Sequence, residues 1–322
     1  MNVSEINSNS QFNANTQRTV DLLRPRCTNL INYNQLEYGI NYFENNGFIF
    51  GQTRGINVQA IELEDGTTPQ PGIVNFAHEL GISQDKLVMP RLDRHTNKVL
   101  VIESASRLVH DKSQGRTVGY DPEHDTTYID SLIVIESPET EGIVLGIHGA
   151  DCPGIVGSGK LNNGNRFIFG LHAGRKGCLS GIIENTAREL HRLGVINGSV
   201  RIAIGPGGQT LELPIETIQK EAATNQNQST TSIWKESAVI SYSKLSDRKK
   251  MVIYDNQADV IRRAQILLGP ILAVNGSSII DANTLTTQGL RSYRAMSVAD
   301  NLNDKQMQQE KMGRNALFTF FN

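Results

Sequence analysis

Short apolar, β-branched runs alternate with segments of helical periodicity along most of this chain. The runs at 98–102, 131–135, 142–147, 166–172, 200–204 and 251–254 have the length and composition of β-strands. Apolar residues spaced by three and four positions predict helices over 182–193 and 260–268, and more weakly over 74–80. Strands mixed with helices in this way predict an α+β or mixed α/β protein rather than an all-β one.

Three segments interrupt this pattern. Residues 1–20 are rich in Asn, Ser and Gln and offer few apolar anchors, which predicts a flexible N-terminal segment followed by a single domain over 21–322. The polar stretch 222–232 is typical of an exposed loop. Residues 111–128 are interpreted as a long insertion, with a lid over the active site as one role for it.

Composition narrows the function classes. The 322 residues carry a formal net charge of −2 and no extended Lys/Arg block, so we expect no nucleic-acid partner. No apolar run approaches the roughly 20 residues of a membrane helix, and the first thirty residues do not resemble a signal peptide. We therefore expect no membrane association and a cytoplasmic location. Three cysteines are an odd and sparse set, which favours free thiols or metal ligands over disulfides.

Two segments carry most of the candidate chemistry. In HGADCPGIVG (148–157), Asp151 and Cys152 follow an apolar strand, and Cys152 could be a nucleophile, a ligand of a soft metal, or simply a buried apolar cysteine. In LHAGRKG (171–177), His172 ends a strand, and Arg175 and Lys176 precede a helix expected to start near Leu179. A helix N-terminus beside two cations favours an anion such as phosphate, although a plain strand-to-helix turn has the same sequence.

Cys152 and His172 thus lie on consecutive predicted strands, as a Cys–His nucleophile pair or two ligands of one metal would. The candidate third ligand is His95, directly before the strand at 98–102, and two His with one Cys would leave the open position of a catalytic zinc or copper site. An isolated surface histidine is the alternative for His95. His148, His110 and His124 rank below it.

Further candidates lie toward the C-terminus. The turn IGPGGQ (204–209) suits either backbone N–H contact with a ligand or a plain turn. Arg294 and Arg314 precede a final apolar strand and could bind phosphate, although arginines in such positions more often pair with carboxylates.

Taken in order, these segments resemble the laccase-domain family, also called multicopper polyphenol oxidoreductases, over residues 45–322. The family pattern consists of Gln-x-His-Gly-x-x-Val, Ala-Asp-Cys-x-Pro, His-Ala-Gly-Trp-Arg-Gly, Ile-Gly-Pro, Ser-x-Arg-Arg and Gly-Arg. Its counterparts occur here in the same order, at His95 with Val99, 150–153, 172–177, 204–206, 292–295 and 313–314. Departures from the pattern are Asp93, Thr96, Arg175, Lys176 and Ala295. No single segment is decisive, whereas the ordered series is fairly specific and typical of a distant member.

This resemblance implies a layered α/β/β/α fold with a mixed sheet, and His95, Cys152 and His172 as ligands of zinc or copper. It also implies phosphorolysis of adenosine or inosine, with adenosine deamination as an activity of some members, so a purine nucleoside and phosphate would be the partners. On this reading Cys152, His172 and Asp151 form the catalytic centre, while Arg175, Lys176, Arg294 and Arg314 bind substrate or phosphate.

Two other functions remain open. The same fold family is thought to include the deamidase domains of cytotoxic necrotising factor toxins, which use only a Cys–His pair, so the protein could be a metal-free thiol hydrolase or deamidase with Cys152 as nucleophile and His172 as base. The replaced family positions also permit a non-catalytic binding module whose site has decayed. Metal content and purine turnover distinguish these readings.

Overall fold

The structure is a computed structural model, and it describes residues 29–56, 58, 71–92, 97–111, 115–208, 213–214, 216–217, 220, 240–246, 249–254, 256–282, 284, 287–288, 290 and 314–321. Seventeen strands lie in these ranges. In chain order they are β1 (Asn29–Asn32), β2 (Gly39–Asn45), β3 (Phe48–Arg54), β4 (Leu87–Val88), β5 (Val99–Ile102), β6 (Leu108–Asp111), β7 (Arg116–Gly119), β8 (Ser131–Ile135), β9 (Val144–Gly149), β10 (Gly154–Lys160), β11 (Arg166–His172), β12 (Val200–Ile204), β13 (Leu213–Pro214), β14 (Ile240–Ser246), β15 (Lys249–Tyr254), β16 (Leu272–Asp281) and β17 (Asn315–Phe320).

Four α-helices accompany these strands in the described part of the chain. They are α1 (Pro71–Glu79), α2 (Arg175–Leu179), α3 (Ile182–Arg192) and α4 (Asn256–Leu267), and short 3-10 turns lie at Tyr33–Gln35, Gln84–Lys86, Ala105–Arg107 and Gly269–Ile271. None of the described helices is long and apolar enough to cross a lipid bilayer.

The strands form two mixed seven-stranded sheets and one small sheet. The first sheet has the order β1-β16-β12-β10-β11-β8-β5, the second has the order β2-β3-β17-β9-β4-β7-β6, and β13-β15-β14 form the third. Both large sheets combine parallel pairs, such as β5 with β8, and antiparallel pairs, such as β10 with β11. Mixed pairing of this kind, with few helices, is an α+β arrangement.

The two large sheets pack face to face, and helices cover their outer faces. Phe48 and Leu317 of the second sheet share a buried cluster with Val156 and Ala203 of the first. Helices α3 and α4 pack their apolar faces on the far side of the first sheet, whereas α1 packs through Phe76 on the far side of the second. The α/β/β/α layering implied by the family resemblance is therefore confirmed.

Most predicted elements are present. One strand next to Cys152 was not predicted, and the interpretation of one segment was wrong. The strand β10 was not predicted, because its glycines and Ser158 weaken the apolar pattern. The segment 111–128 is not an insertion acting as a lid, since β7 (Arg116–Gly119) lies in it as a buried strand of the second sheet. The loop predicted at 222–232 and the N-terminal segment 1–20 lie outside the described residues, so the domain boundary at residue 21 stays a prediction.

Candidate active site

The chain passes from the second sheet to the first just where Cys152 lies. Strand β9 ends at Gly149, and β10 begins at Gly154 immediately after Pro153, so Cys152 lies on the connection between sheets rather than on a strand next to β11. The β10–β11 hairpin then places His172 directly opposite Gly154. The amide of Ala173 donates to the Pro153 carbonyl at 2.9 Å, which extends this pairing by one step toward Cys152.

Gly174 marks the point where the Cys152 and His172 side chains converge. A Cβ atom on Gly174 would lie 2.8 Å from Sγ of Cys152 and 3.0 Å from Cε1 of His172. The thiol and the imidazole therefore flank the same small volume, which only glycine leaves open. His172 is buried and Cys152 half-buried, and the structure brings these two side chains to the same point of the chain.

Asp151 faces a different set of neighbours from Cys152. Its Oδ1 accepts a hydrogen bond from the Thr284 hydroxyl at 2.9 Å, and its carbonyl accepts from the amide of Gly208 at 2.8 Å. The amide of Gly205 donates a hydrogen bond to the carbonyl of Gly154 at 2.9 Å. The glycine amides of the turn after β12 are thus engaged by backbone carbonyls, which favours the plain-turn interpretation of 204–208 and shows that this turn fixes the Cys152 connection.

The predicted cations lie near this connection. The helix expected near Leu179 instead begins at Arg175, with Gly174 as its N-cap, so the half-buried Arg175 and the exposed Lys176 lie in the first turn of α2. The half-buried Arg314 directly precedes Asn315, which pairs with the last residue of β9. His95 and Arg294 lie outside the described residues, so their positions at the site stay predictions.

A buried His148–Arg116 pair at the end of β9 was missed as a functional feature. Nη1 of Arg116 lies 2.8 Å from Nε2 of His148, and both side chains are buried. Burial first, and then the positive charges of Arg116 and Arg314, lower the pKa of His148 well below its usual value. This lowering favours the neutral imidazole, and because a guanidinium only donates, Nε2 of that neutral form is the acceptor.

The sequence indicates only one member of this pair as a candidate, the histidine. His148 is a spare candidate that ranks below His95 because it precedes Cys152 by only a turn, and nothing local indicates that Arg116, 32 positions earlier, is its partner. The pair places a fixed positive charge at the same end of the second sheet as the Cys152 connection. His172 lies within electrostatic range of it, because its charge contributes to the lowering of the His148 pKa.

The other spare histidines lie away from Cys152. His110 is exposed on β6. His124 is exposed on the turn after β7, where its Nδ1 lies 2.6 Å from the Asp121 carboxylate. Together with Glu123 these two residues bring three ligand-type atoms within 4.8 Å of one another, the one such group found among the described residues. An exposed group of this kind is common on protein surfaces without a metal.

Gln52 was not singled out by the sequence, and it lies beneath Cys152. A cavity of about 10 Å³, roughly the room for one water molecule, is lined by Gln52, Cys152, Gly205 and Asn315. The Gln52 side chain is fully buried, and its amide nitrogen donates to the Thr53 carbonyl at 3.0 Å. This cavity is too small for an organic substrate, so a substrate would meet Cys152 from another side.

Comparison with known proteins identifies the family. The family model described as multi-copper polyphenol oxidoreductase laccase matches residues 65–271, well over half of the chain. The chain belongs to this family. Within the laccase family it is 27% identical over 153 residues to a protein named adenosine deaminase RL5, from an unknown prokaryotic organism, and the match covers 47% of this chain and 52% of that protein. The laccase-family chain thus spans about half the length of that curated relative.

Solved structures share the laccase-family fold at low sequence identity. Hypothetical protein YfiH of Bacillus licheniformis superimposes with a TM-score of 0.57 and 14% identity, covering 89% of this chain and 97% of its own. YlmD of Geobacillus stearothermophilus gives 0.51 and 15%, covering 85% and 91%. Protein NMB0706 of Neisseria meningitidis gives 0.50 and 15%, covering 87% and 98%. Both the family resemblance and the fold expected from it are confirmed.

Proposed function

We propose that this chain is a metal-dependent enzyme acting on purine nucleosides. The reaction we assign is phosphorolysis of adenosine or inosine to the free base and ribose 1-phosphate, with deamination of adenosine as a second activity of the same site. The observation that carries this proposal is the convergence of Cys152 and His172 on Gly174. The relative named as an adenosine deaminase supports the nucleoside substrate class.

The residues present fit a zinc or copper ion. A thiolate and an imidazole are ligand types that both metals accept, and the absence of a side chain on Gly174 leaves the space between Sγ and Cε1 open. Family membership supports His95 as the third ligand. Three protein ligands would leave a fourth position for water or substrate, which is the arrangement of catalytic rather than structural zinc sites.

Asp130 connects Asn97, just before β5, with the backbone of His172. One carboxylate oxygen of Asp130 accepts from the amide of Asn97 at 2.9 Å, and its carbonyl accepts from the amide of His172 at 2.9 Å. Asp130 is buried, so both contacts are shielded from water. Asn97 is thus tied to the same aspartate as His172.

The roles of the remaining residues follow from their positions. A bound metal would polarise a substrate group or lower the pKa of a bound water. We assign phosphate binding to Arg175, Lys176 and Arg314, because guanidinium and ammonium groups near the Cys152 connection would attract an anion and hold it for attack on the sugar. Arg294 is added on the family pattern alone. Asp151, the third residue assigned to the catalytic centre, is held by Thr284 and fixes the connection that carries Cys152.

Metal analysis of the purified full chain tests the site. We expect about one equivalent of zinc or copper, lost in Cys152→Ala, His172→Ala and His95→Ala variants. Cys178→Ala is the matched control, because Cys178 is buried in α2 and donates its thiol hydrogen to the Ala173 carbonyl, so its loss should leave the metal content unchanged. Metal retained in both the Cys152 and the His172 variants would refute the site.

Product analysis tests the reaction. Hypoxanthine formed from inosine only in the presence of phosphate supports phosphorolysis, whereas inosine formed from adenosine without phosphate supports deamination. A metal-loaded protein that converts neither nucleoside would remove both assignments and leave the binding-module reading.

The Cys152–His172 geometry also supports a second candidate, a metal-free thiol hydrolase or deamidase. In that function Cys152 attacks a carbonyl and His172 accepts the thiol proton, so no third ligand is required. A metal-free protein whose Cys152 is alkylated rapidly at neutral pH, while His95→Ala keeps full reactivity, would favour this candidate. Slow alkylation of the metal-free protein would exclude it.

A further inference from the structure

A second cavity lies at the opposite end of the same strand pair. Residue 154 pairs with 172 at the Cys152 end of the β10–β11 hairpin, and Lys160 pairs with Arg166 at the other end. Six residues at the rise of a β-strand separate these two ends by about 20 Å. The cavity has a volume of about 490 Å³ and lies where the ends of β10 and β11 meet the β2–β3 turn and the end of β17. It is therefore distinct from the active site.

Positive charge is concentrated on one wall of this cavity. Lys160 lies opposite Arg166, and Ser158 lies opposite Arg201, so the strand pairing directs all four side chains to the same face of the first sheet. The residues that line the cavity include these three cations and no Asp or Glu. This wall of the cavity therefore carries a local excess of positive charge, which favours an anion.

Only one of the three cations has its charge compensated within the described part of the chain. Arg166 forms a bidentate ion pair with Glu136, which lowers the pKa of that carboxyl. Arg201 makes only a long contact from Nη1 to the Ser199 carbonyl at 3.5 Å, and its buried Nε has no acceptor among the described residues. The Arg201 guanidinium therefore keeps donor capacity for an anion bound in the cavity.

The remaining walls are suited to an organic group. Phe48 and Phe321 line the cavity, and the guanidinium of Arg166 lies 6.0 Å from the centre of the Phe321 ring. Cavities of roughly 300–1,000 Å³ with apolar walls and a few convergent polar groups are typical small-molecule sites. The Ser158 hydroxyl lies on the same face as the cations and could donate one more hydrogen bond.

We infer that this cavity is a second ligand site, and that it binds a small phosphate ester carrying a planar ring. The guanidinium of Arg201, the ammonium of Lys160 and the hydroxyl of Ser158 match the several oxygens of a phosphate, for which Arg and Lys are the usual partners. The half-buried Phe321 side chain, which lines the cavity, packs against the planar ring of the ligand. This site is independent of the proposed nucleoside reaction.

Calorimetric titration of the full chain with phenyl phosphate tests this inference, because the probe has both required parts and is not a nucleoside. We expect saturable binding that weakens by about tenfold or more in each of Arg201→Gln and Lys160→Gln. Arg188→Gln, which removes an exposed cation from α3, is the matched control and should bind normally. Binding should also persist in Cys152→Ser, which separates this site from the catalytic one.

Two further arms make the assignment specific. Arg201→Lys keeps the positive charge but loses the planar fork, so it should bind more weakly than the native chain and more tightly than Arg201→Gln, and this ordering would not arise from misfolding. Benzoate and inorganic phosphate should each bind more weakly than phenyl phosphate. Equal binding of benzoate would overturn the phosphate assignment. Binding unchanged in Arg201→Gln and Lys160→Gln, binding lost in Cys152→Ser, or no binding at millimolar probe would overturn the site.

Discussion

Replacing Gly174 by alanine is the most direct test of the Cys152–His172 geometry. The backbone at Gly174 has φ −67° and ψ 158°, which alanine adopts without strain, so the substitution adds only a methyl group. That methyl carbon would lie 2.8 Å from Sγ of Cys152 and 3.0 Å from Cε1 of His172. Normal contacts between such atoms are roughly 3.5–4.0 Å, so one or both side chains must move by about 0.5–1 Å.

This displacement should affect function far more than stability. Overpacking of one methyl group costs about 1–3 kcal/mol of unfolding free energy, whereas a shift of about 1 Å in a catalytic group can lower the rate about 100-fold. We expect Gly174→Ala to fold, to bind zinc more weakly than the native chain, and to turn over nucleoside about 100 times more slowly. Initial rates, metal titration and urea unfolding measure the three quantities separately.

Gly177→Ala is the control for Gly174→Ala. Its methyl group would lie 3.4 Å from the His172 carbonyl and 3.6 Å from Cγ2 of Ile182, which are ordinary contacts. Because Gly177 lies inside α2, alanine should stabilise that helix by about 0.5–1 kcal/mol and leave the rate unchanged. Native rate and metal affinity in Gly174→Ala would refute the reasoning, since the two side chains could not then flank the reactive volume.

Three further predictions concern buried polar groups. The folded chain lowers the pKa of His148, chiefly by burial, so below pH 6.5 the unfolded state binds more protons there and stability falls as the pH drops. His148→Gln should remove this fall, which approaches about 1 kcal/mol per pH unit toward pH 5; urea unfolding between pH 5 and 7 measures it, and an unchanged slope would contradict the reasoning. Thr284→Val removes the donor to the Asp151 carboxylate and should cost about 1.5–3 kcal/mol in the same assay, with Thr284→Ser restoring most of it. Arg263→Met removes the cation that pairs with the buried carboxylates of Glu184 and Asp259, and it should lower the free energy of unfolding by about 3–5 kcal/mol. A decrease below about 1 kcal/mol in thermal or urea unfolding would show that these ion pairs are not coupled to folding.

The elements that the sequence predicts correctly are those in which burial against one neighbouring layer sets the spacing of the apolar residues. Strand β11 and helix α3 present continuous apolar faces to the same cluster, so their sequences show the period of each element directly. Strand β10 lacks such a face, because Gly157 and Gly159 leave space that Phe169 and Phe167 of the paired strand fill. Its identity as a strand depends on residues of another segment, which a local pattern does not contain.

The residues of the candidate site also differ in how far the sequence alone predicts them. Cys152 and His172 could be chosen from the sequence because their residue types carry chemistry wherever they lie, and their predicted positions on consecutive strands indicated that they pair. Arg116 could not, because it lies in the segment 111–128 that the sequence presents as an insertion, where a charged residue is expected to be exposed, whereas here it is buried and contacts His148 in another strand. Its role depends on burial, and burial is a property of the assembled sheets.

The same reasoning explains why charge was the least predictable property of this chain. Its net charge of −2 indicates no strong field, yet the fold gathers Arg116 and Arg314 around a neutral His148 at one end of the sandwich, and Lys160 and Arg201 around a cavity at the other. Positive and negative side chains cluster in different places only once strand pairing fixes which side chains share a face. An anion-binding surface can therefore exist at both ends of a chain whose composition predicts none, and only pairing registers such as that of β10 with β12 reveal it.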